Sequence, residues 1–361
     1  MTLRLLHVMR ADSPGAIAQV DWIAQFSGAN TSSIIHVTDR TRVGGMPPRD
    51  SSRTCLRLRG LFDVSGIRQL RARVTQAKPD LVHIWDPQFL PPSALLALAL
   101  GRRWPLVASF RHPVNKRSGS HFLLRWLSRR ICRFAADSEF VKASCVASGW
   151  GTTDMQVIPG GCESKTSVNG VVRQKSLQPI KLDDEARLIV AIGSLSSHKR
   201  LSDLIWAADM LAPVEPRLHL AIVGEGPAQA QLEETRHSVR RGHRISILSP
   251  AAMPWLLDRA EFAVLPGAVD GCCHAALQAM AAGLPLVAAR GGGNGALLGE
   301  GEAGLSFPVG DRGELARTLW GMLAKPDRQR AFGHAARRRA TELFPAEEMA
   351  SAYADLYREL S

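Results

Sequence analysis

Between Glu261 and Ala289 the chain reads EFAVLPGAVDGCCHAALQAMAAGLPLVAA, and this stretch holds residues whose spacing can do chemistry. Glu261–Leu265 is an apolar run ended by Pro266 and Gly267, the pattern of a short buried strand. Cys273–Ala282, rich in Ala, Leu, Gln and Met and stopped by Gly283, predicts a helix, and Leu284–Ala289 a second strand. Asp270 is the single acid of the loop between, next to Gly271, Cys272 and Cys273. In open α/β sheets ligands bind at the carboxyl ends of strands. The amides at the helix start, near Cys273 and His274, suit an anion such as a diphosphate. The vicinal pair Cys272–Cys273 reads either as a reactive pair or as small loop fillers. A second candidate loop is Gly193-Ser194-Leu195-Ser196-Ser197-His198-Lys199-Arg200, which follows the strand Arg187–Ile192. A third, Gly224-Glu225-Gly226-Pro227, closes the strand Leu218–Val223. Glycine there permits a tight turn and Pro227 suits the first turn of a helix, although Gly-x-Gly by itself does not identify a nucleotide site.

The elements that must position these loops alternate along the whole chain. Strands are expected at Leu3–Met9, Ser33–Val37, Asp80–Trp85, Leu106–Phe110, Phe134–Asp137 and Met155–Ile158. Helices are expected at Ala16–Phe26, Val64–Gln76, Ser120–Arg133 and Glu139–Ser148. After a polar stretch with Pro179, strands return at Arg187–Ile192, Leu218–Val223 and Ile245–Leu248. Helices at Glu314–Ala324, Arg328–Leu343 and Glu347–Leu360 end the chain. Such alternation predicts parallel, doubly wound sheets.

A length of 361 residues fits two domains, and 45% hydrophobic with 22% charged residues is the composition of a soluble globular protein. The apolar stretch Phe89–Leu100 is too short to span a bilayer, and the first residues read as a strand rather than a signal. Six cysteines without zinc or redox spacing read as reduced thiols of a cytoplasmic protein. No metal-ligand cluster is evident. Asp183-Asp184 reads as linker solvation rather than a metal pair. The net charge of +12 falls wholly in residues 1–165, while 166–361 are balanced. A basic half favours an anionic partner such as an acidic membrane surface or a phosphorylated acceptor. Arg125, Arg129, Arg130 and Arg133, on the expected helix 120–133, are candidates to meet the inner face of a membrane.

The central segment resembles the donor-site segment of family-4 retaining glycosyltransferases of the GT-B fold. That pattern has an acid before Gly, seven residues, a second acid, and an Ala-Met-Ala-x-Gly-x-Pro-Val-Val tail. Here the tail is Ala279, Met280, Ala281, Gly283, Pro285, Leu286 and Val287, and the two acids fall on Asp270 and Gln278. The resemblance implies that Asp270 holds the sugar and that Gln278 accepts a ribose hydroxyl, more weakly than a charged acid would. It places Gly271, Cys272, Cys273 and His274 beside the diphosphate. The loop from Gly193 resembles the family's Gly-Arg-Leu loop ending in Lys-Gly. Lys199 matches the lysine that holds the diphosphate, Ser194 stands where the family has Arg, and Arg200 substitutes only if the loop turns it inward. Gly224 and Gly226 match a Val-Gly-x-Gly-Pro turn. Arg290–Gly295 matches a glycine pair after which the family has an acid, here Ala296. GEAGLSFPVGD (301–311) resembles a further turn. In the first half, AADSEFVKASCVASGW and MQVIPGGCE within residues 135–163 are similar to the family's domain ending. In Ser109–His112 the family's histidine near the reacting sugar falls on Arg111, with His112 next to it.

The fold implied is α/β of GT-B type: two Rossmann-like doubly wound domains facing across a cleft, with a C-terminal helix crossing back to the first. The boundaries expected are 1–165 for the acceptor-side domain, 166–185 for a linker, 186–343 for the nucleotide-sugar domain and 344–361 for the crossover helix. The activity implied is transfer of a sugar, with retention, from a nucleotide-diphospho-sugar to the hydroxyl of a glycan, lipid-linked or small-molecule acceptor. No cofactor is expected beyond that co-substrate. Two other readings stand beside it. The replaced acids and the missing Arg also suit a protein that binds nucleotide-sugar or glycan without transfer. The pI near 10 would suit nucleic acid, but no recognised module or aromatic stacking series supports that partner.

Overall fold

The structure is a computed structural model that describes residues 3–10, 14–26, 31–38, 53–58, 63–100, 104–114, 130–150, 154–163, 180–183, 185–268, 271 and 273–360. The chain forms two compact units, Met1–Gly161 with Ala346–Ser361, and Cys162–Pro345. The expected linker lies largely outside the described residues.

The first unit is a parallel sheet of β1 (Arg4–Arg10), β2 (Thr31–Thr38), β3 (Arg53–Arg57), β4 (Leu81–Trp85), β5 (Leu106–Phe110), β6 (Ile131–Ala136) and β7 (Gln156–Val157), ordered β3-β2-β1-β4-β5-β6-β7. The strand order reverses between β1 and β4. Alternate residues such as Leu6, Val8, Val82, Ile84, Ala108 and Phe110 build one core with the helix Val64–Ala77. Asp63 starts that helix, its carboxylate accepting the Gly66 N–H at 2.8 Å. The opposite face, with Leu5, Met9, Leu81 and Val107, packs on helix Ala346–Arg358 through Ala346, Met349, Ala350, Tyr353, Leu356 and Tyr357. That three-and-four spacing is the apolar stripe of an amphipathic helix, so the expected return of the last helix to the first unit is what the fold uses. Three expectations need correction. β3 and helix Pro92–Leu100 were not anticipated. Ile131–Arg133, expected to end a helix, begins β6, where Ile131 is buried and Arg133 meets Glu359 at 3.3 Å. Arg125 and Arg129 lie outside the described residues.

The second unit is a parallel sheet of β8 (Arg187–Ile192), β9 (Leu218–Val223), β10 (Ile245–Leu248), β11 (Phe262–Leu265), β12 (Leu286–Ala289) and β13 (Gly304–Phe307), ordered β10-β9-β8-β11-β12-β13. Its reversal lies between β8 and β11. Helices Leu201–Leu211 and Arg312–Leu323 cover one face, and helices His274–Ala281 and Pro326–Leu343 the other. β13 arises in the segment expected as a turn. Gly304 permits its pairing, since a Cβ there would lie 1.8 Å from the Leu286 carbonyl oxygen. Among the described residues no helix is long and apolar enough to cross a membrane.

Among the described residues the first sheet buries three histidines, His7, His36 and His83, each with at most 1% exposure. Burial pushes His7 down to about 3. His36 falls to about 4, from burial and then the nearby Arg53 charge, partly offset by the Arg10 backbone. Between those values and about 6.5 the unfolded chain holds more protons than the folded one, so stability rises with pH in that window and is lost on acidification. Denaturant unfolding should therefore show stability falling below pH 6.5 by up to roughly 1.4 kcal/mol per pH unit for each histidine. Stability that stays flat from pH 7 to pH 5 would contradict this burial.

Candidate active site

The carboxyl ends of β8 and β11, at the strand-order reversal of the second unit, border a small recess lined by Gly193, Ser194, Lys199, Pro266 and Gly267 among others. Such a reversal leaves a crevice because neighbouring loops depart to opposite faces. After β8 the chain passes Gly193 (φ +147°) and makes a short turn, Ser197–Lys199, that ends at Arg200 in the left-handed region (φ +54°). This brings the Lys199 ammonium over Gly193, 3.7 Å from where a Cβ would stand. Gly267 admits the same turn closely. A Cβ there would be 2.6 Å from the His198 carbonyl oxygen.

Gly224 and Gly226 let the backbones of neighbouring loops approach closely. A Cβ on Gly224 would lie 1.8 Å from the Gly193 carbonyl oxygen, and one on Gly226 2.3 Å from that of Leu195. The Leu195 N–H donates to Glu225 O at 2.9 Å and the Ala228 N–H to Leu195 O at 2.8 Å, so the loops after β8 and β9 are laced together. Arg200 has a carboxylate partner of its own. Its guanidinium pairs with Asp203 at 2.6 Å, where Arg312 joins at 2.7 Å, and it is not among the residues lining the recess. Arg200 is thus drawn by a carboxylate one turn along its own helix, not inward. Ser194 is exposed, its hydroxyl 3.2 Å from that of Ser196.

Helix His274–Ala281 starts at Cys273 with no side-chain cap, and Leu277 N–H is bonded back to Cys273 O at 3.0 Å. The amides of its first turn therefore keep the anion-favouring end of the helix. Gln278 is half-buried and one turn from His274, on the same face. Asp270 and Cys272 lie outside the described residues; Gly271 is buried. Asn294 was missed from the sequence. Its buried side-chain amide donates to Gly267 O (2.9 Å) and Ala289 O (2.8 Å), tying the ends of β11 and β12. Beside it a Cβ on Gly293 would lie 2.0 Å from the Gly271 carbonyl oxygen. The one signal for both was the glycine run 291–295.

In the first unit Arg111 and His112 follow β5 directly. Asp86, which follows β4 and was not singled out from the sequence, holds both. Its Oδ2 accepts from Arg111 Nε (2.8 Å) and Nη2 (2.5 Å), its Oδ1 accepts the Arg111 N–H (2.8 Å), and His112 Nδ1 is 3.5 Å from Oδ1. Burial alone would raise the Asp86 carboxyl, but the Arg111 and His112 charges hold it well below the usual carboxylate range. The Arg111 guanidinium, expected beside a sugar, is committed to this carboxylate. Among the described residues no group of three or more His, Cys, Asp or Glu gathers to hold a metal.

Two family profiles cover most of the chain. "Glycosyltransferase Family 4" matches residues 20–165 and "Glycosyl transferases group 1" residues 172–339. Glycogen synthase of Mycobacterium tuberculosis is 30% identical over 297 residues, 78% of this chain and 69% of that protein. The chain belongs to glycosyltransferase family 4. The family-4 chain is also 28% identical to MMP alpha-(1->4)-mannosyltransferase of Mycolicibacterium hassiacum, over 78% of its own length and 70% of the relative's. Among solved structures, Anabaena Alr3699/HepE in complex with UDP-glucose superposes with a TM-score of 0.77 at 18% identity, covering 99% of this chain and 100% of that one. The likeness carries the GT-B fold.

The lacing of the loops is testable apart from activity. Asn294→Ala strands two buried carbonyls and should cost about 2–3 kcal/mol. Gly224→Ala forces backbone apart and should cost about 1–3 kcal/mol or more. Denaturant midpoints measure both, and wild-type stability in either variant would contradict the packing described.

Proposed function

We propose that this family-4 chain moves a sugar from a nucleotide-diphospho-sugar to a hydroxyl acceptor with retention of configuration, without a metal, in cell-surface glycan or glycolipid synthesis. The observation that carries the reading is the recess at the β8–β11 reversal with Lys199 over Gly193. A leaving diphosphate develops negative charge, and preorganised donors aimed at that charge lower the barrier. Lys199 and the amides at the start of helix His274–Ala281 would serve it. By the family resemblance Asp270 would hold the sugar as it passes through a cation-like state, and Gln278 would accept from the ribose. By the same resemblance the family's sugar-side histidine falls on Arg111 of the first unit, with His112 next to it. Support for the donor class comes from the solved neighbour with UDP-glucose. Support for a hydroxyl acceptor comes from relatives named for glycogen and for D-inositol 3-phosphate.

A second reading, binding without transfer, is favoured by a specific observation. Ser194 replaces the family's Arg, and Arg200, the nearest substitute, is held by Asp203. A thermal-shift panel of UDP-, GDP- and ADP-sugars should stabilise the protein under both readings, and a transfer assay separates them.

Lys199→Ala should weaken nucleotide-sugar binding by roughly 1.5–3 kcal/mol, as for a charged hydrogen bond. Arg200→Gln should leave that affinity within about twofold, because its charge serves Asp203. Calorimetric titration checks both, and the reverse ranking would overturn the assignment. Gln278→Glu should keep or raise activity, and a folded but inactive variant would refute the ribose role. For the membrane, Arg68, Arg71 and Arg73 stand exposed on helix Val64–Ala77, which carries no acid. Co-sedimentation with anionic vesicles should fall as salt rises, since the screening length drops from about 10 Å at 0.1 M to about 3 Å at 1 M. Equal binding to neutral vesicles would remove the membrane from the reading.

A further inference from the structure

Resting on the transferase reading, we propose that Asp86 is a positioning residue that neutralises Arg111 and fixes the ring of His112, so that His112 and not Arg111 is the side chain this unit offers to a substrate hydroxyl. Asp86 sits in the left-handed region (φ +47°) between β4 and the turn Pro87–Phe89, with 4% exposure. An ionised carboxylate only accepts hydrogen bonds. Oδ2 takes the Arg111 fork from Nε and Nη2, a two-point pairing that leaves the Arg111 side chain 10% exposed and its charge matched. Oδ1 takes the Arg111 N–H, with Gln88 Nε2 at 3.4 Å and His112 Nδ1 at 3.5 Å.

In its neutral form the His112 ring, facing that acceptor, would carry its proton on Nδ1 and the lone pair on Nε2. Nε2 can accept a hydrogen bond from a sugar or acceptor hydroxyl. The His112 side chain is 32% exposed, three times as much as Arg111. Two further contacts fix it: the Phe89 ring stands edge-on at 5.2 Å, and Gln88 Nε2 donates to His112 O at 3.2 Å. The base of the cluster is rigid, because the Asp86 N–H donates to Ser109 O at 2.8 Å and the Ser109 hydroxyl is bonded to His83 and Tyr353 in the core.

The experiment is a double-mutant cycle. Asp86→Asn, which tolerates the left-handed backbone, should lower kcat at least tenfold while the nucleotide-sugar Kd stays within twofold. In a His112→Gln background the same change should cost less than twofold, because its effect runs through His112. An equal loss in both backgrounds would overturn the proposal. Where Asp86→Asn alone fails to fold, for want of a partner to the buried Arg111, Asp86→Asn with Arg111→Gln removes both charges and enters the same cycle. A wild-type protein that binds nucleotide-sugar but transfers it to nothing would refute the transferase reading only. The positioning is then read from the ¹⁵N spectrum of His112. The proton should sit on Nδ1 in wild type, and that preference should vanish in Asp86→Gly, which leaves no acceptor. A wild-type ring with its proton on Nε2, or an unchanged tautomer in Asp86→Gly, would overturn it.

Discussion

In both units the central strands are buried on both faces, and their backbone amides and carbonyls are spent sideways on neighbouring parallel strands. A strand of this kind can show polar chemistry only where it ends. Lys199 lies beyond the carboxyl end of β8, Asp86 beyond that of β4, and Arg111 and His112 beyond that of β5. The strand order then selects among those ends. In the second unit the reversal between β8 and β11 opens the recess, and in the first the reversal lies between β1 and β4, the strand that Asp86 terminates.

The same constraint crowds the loops. Four successive loop ends meet backbone against backbone, Gly224 on Gly193, Gly226 on Leu195, Gly267 on His198 and Gly293 on Gly271, each closer than any Cβ allows. These glycines first solve a packing problem. Loops laced this tightly keep a fixed floor under Lys199. Asn294 completes the arrangement by satisfying two carbonyls that the strand ends leave behind, which a buried backbone requires.

The sequence was most legible where the period was cleanest. Leu106–Phe110, Arg187–Ile192, Leu218–Val223 and Ile245–Leu248 match the strands residue for residue, since buried parallel strands read as short apolar runs. β3 was invisible because Arg53 and Arg57 bracket it, as suits an edge strand that must discourage further pairing. β13 was hidden by Gly304, which reads as a turn but is needed for close strand pairing. At the site, Lys199 is a candidate through the resemblance of its loop to the family's Gly-Arg-Leu loop ending in Lys-Gly, and the structure sets its ammonium over Gly193. The resemblance lets Arg200 substitute for the missing Arg only if its loop turns it inward, and Asp203, three residues on, pairs with it instead. Asp86 went unseen because its partners lie 25 and 26 residues away and meet it only across two strands.

The last helix shows how polar groups can specify packing in an otherwise apolar core. Tyr357 OH is 2.7 Å from His83 Nδ1, His83 Nε2 is 2.7 Å from Ser109 Oγ, and Tyr353 OH donates to Ser109 Oγ at 3.0 Å, all of them buried. Apolar stripes tolerate sliding. This chain of bonds does not, since moving the helix by one residue would strand both tyrosine hydroxyls and the His83 Nδ1, and a stranded buried group costs about 1–3 kcal/mol. Tyr353 and Tyr357 are four residues apart, one turn of the helix, so both hydroxyls reach the same sheet face together. The two bonds fix rotation as well as register. Ser109, where the chain of bonds ends, lies two residues before Arg111 and takes the Asp86 N–H on its carbonyl. A helix from the far end of the chain thus sets the floor beneath Arg111 and His112.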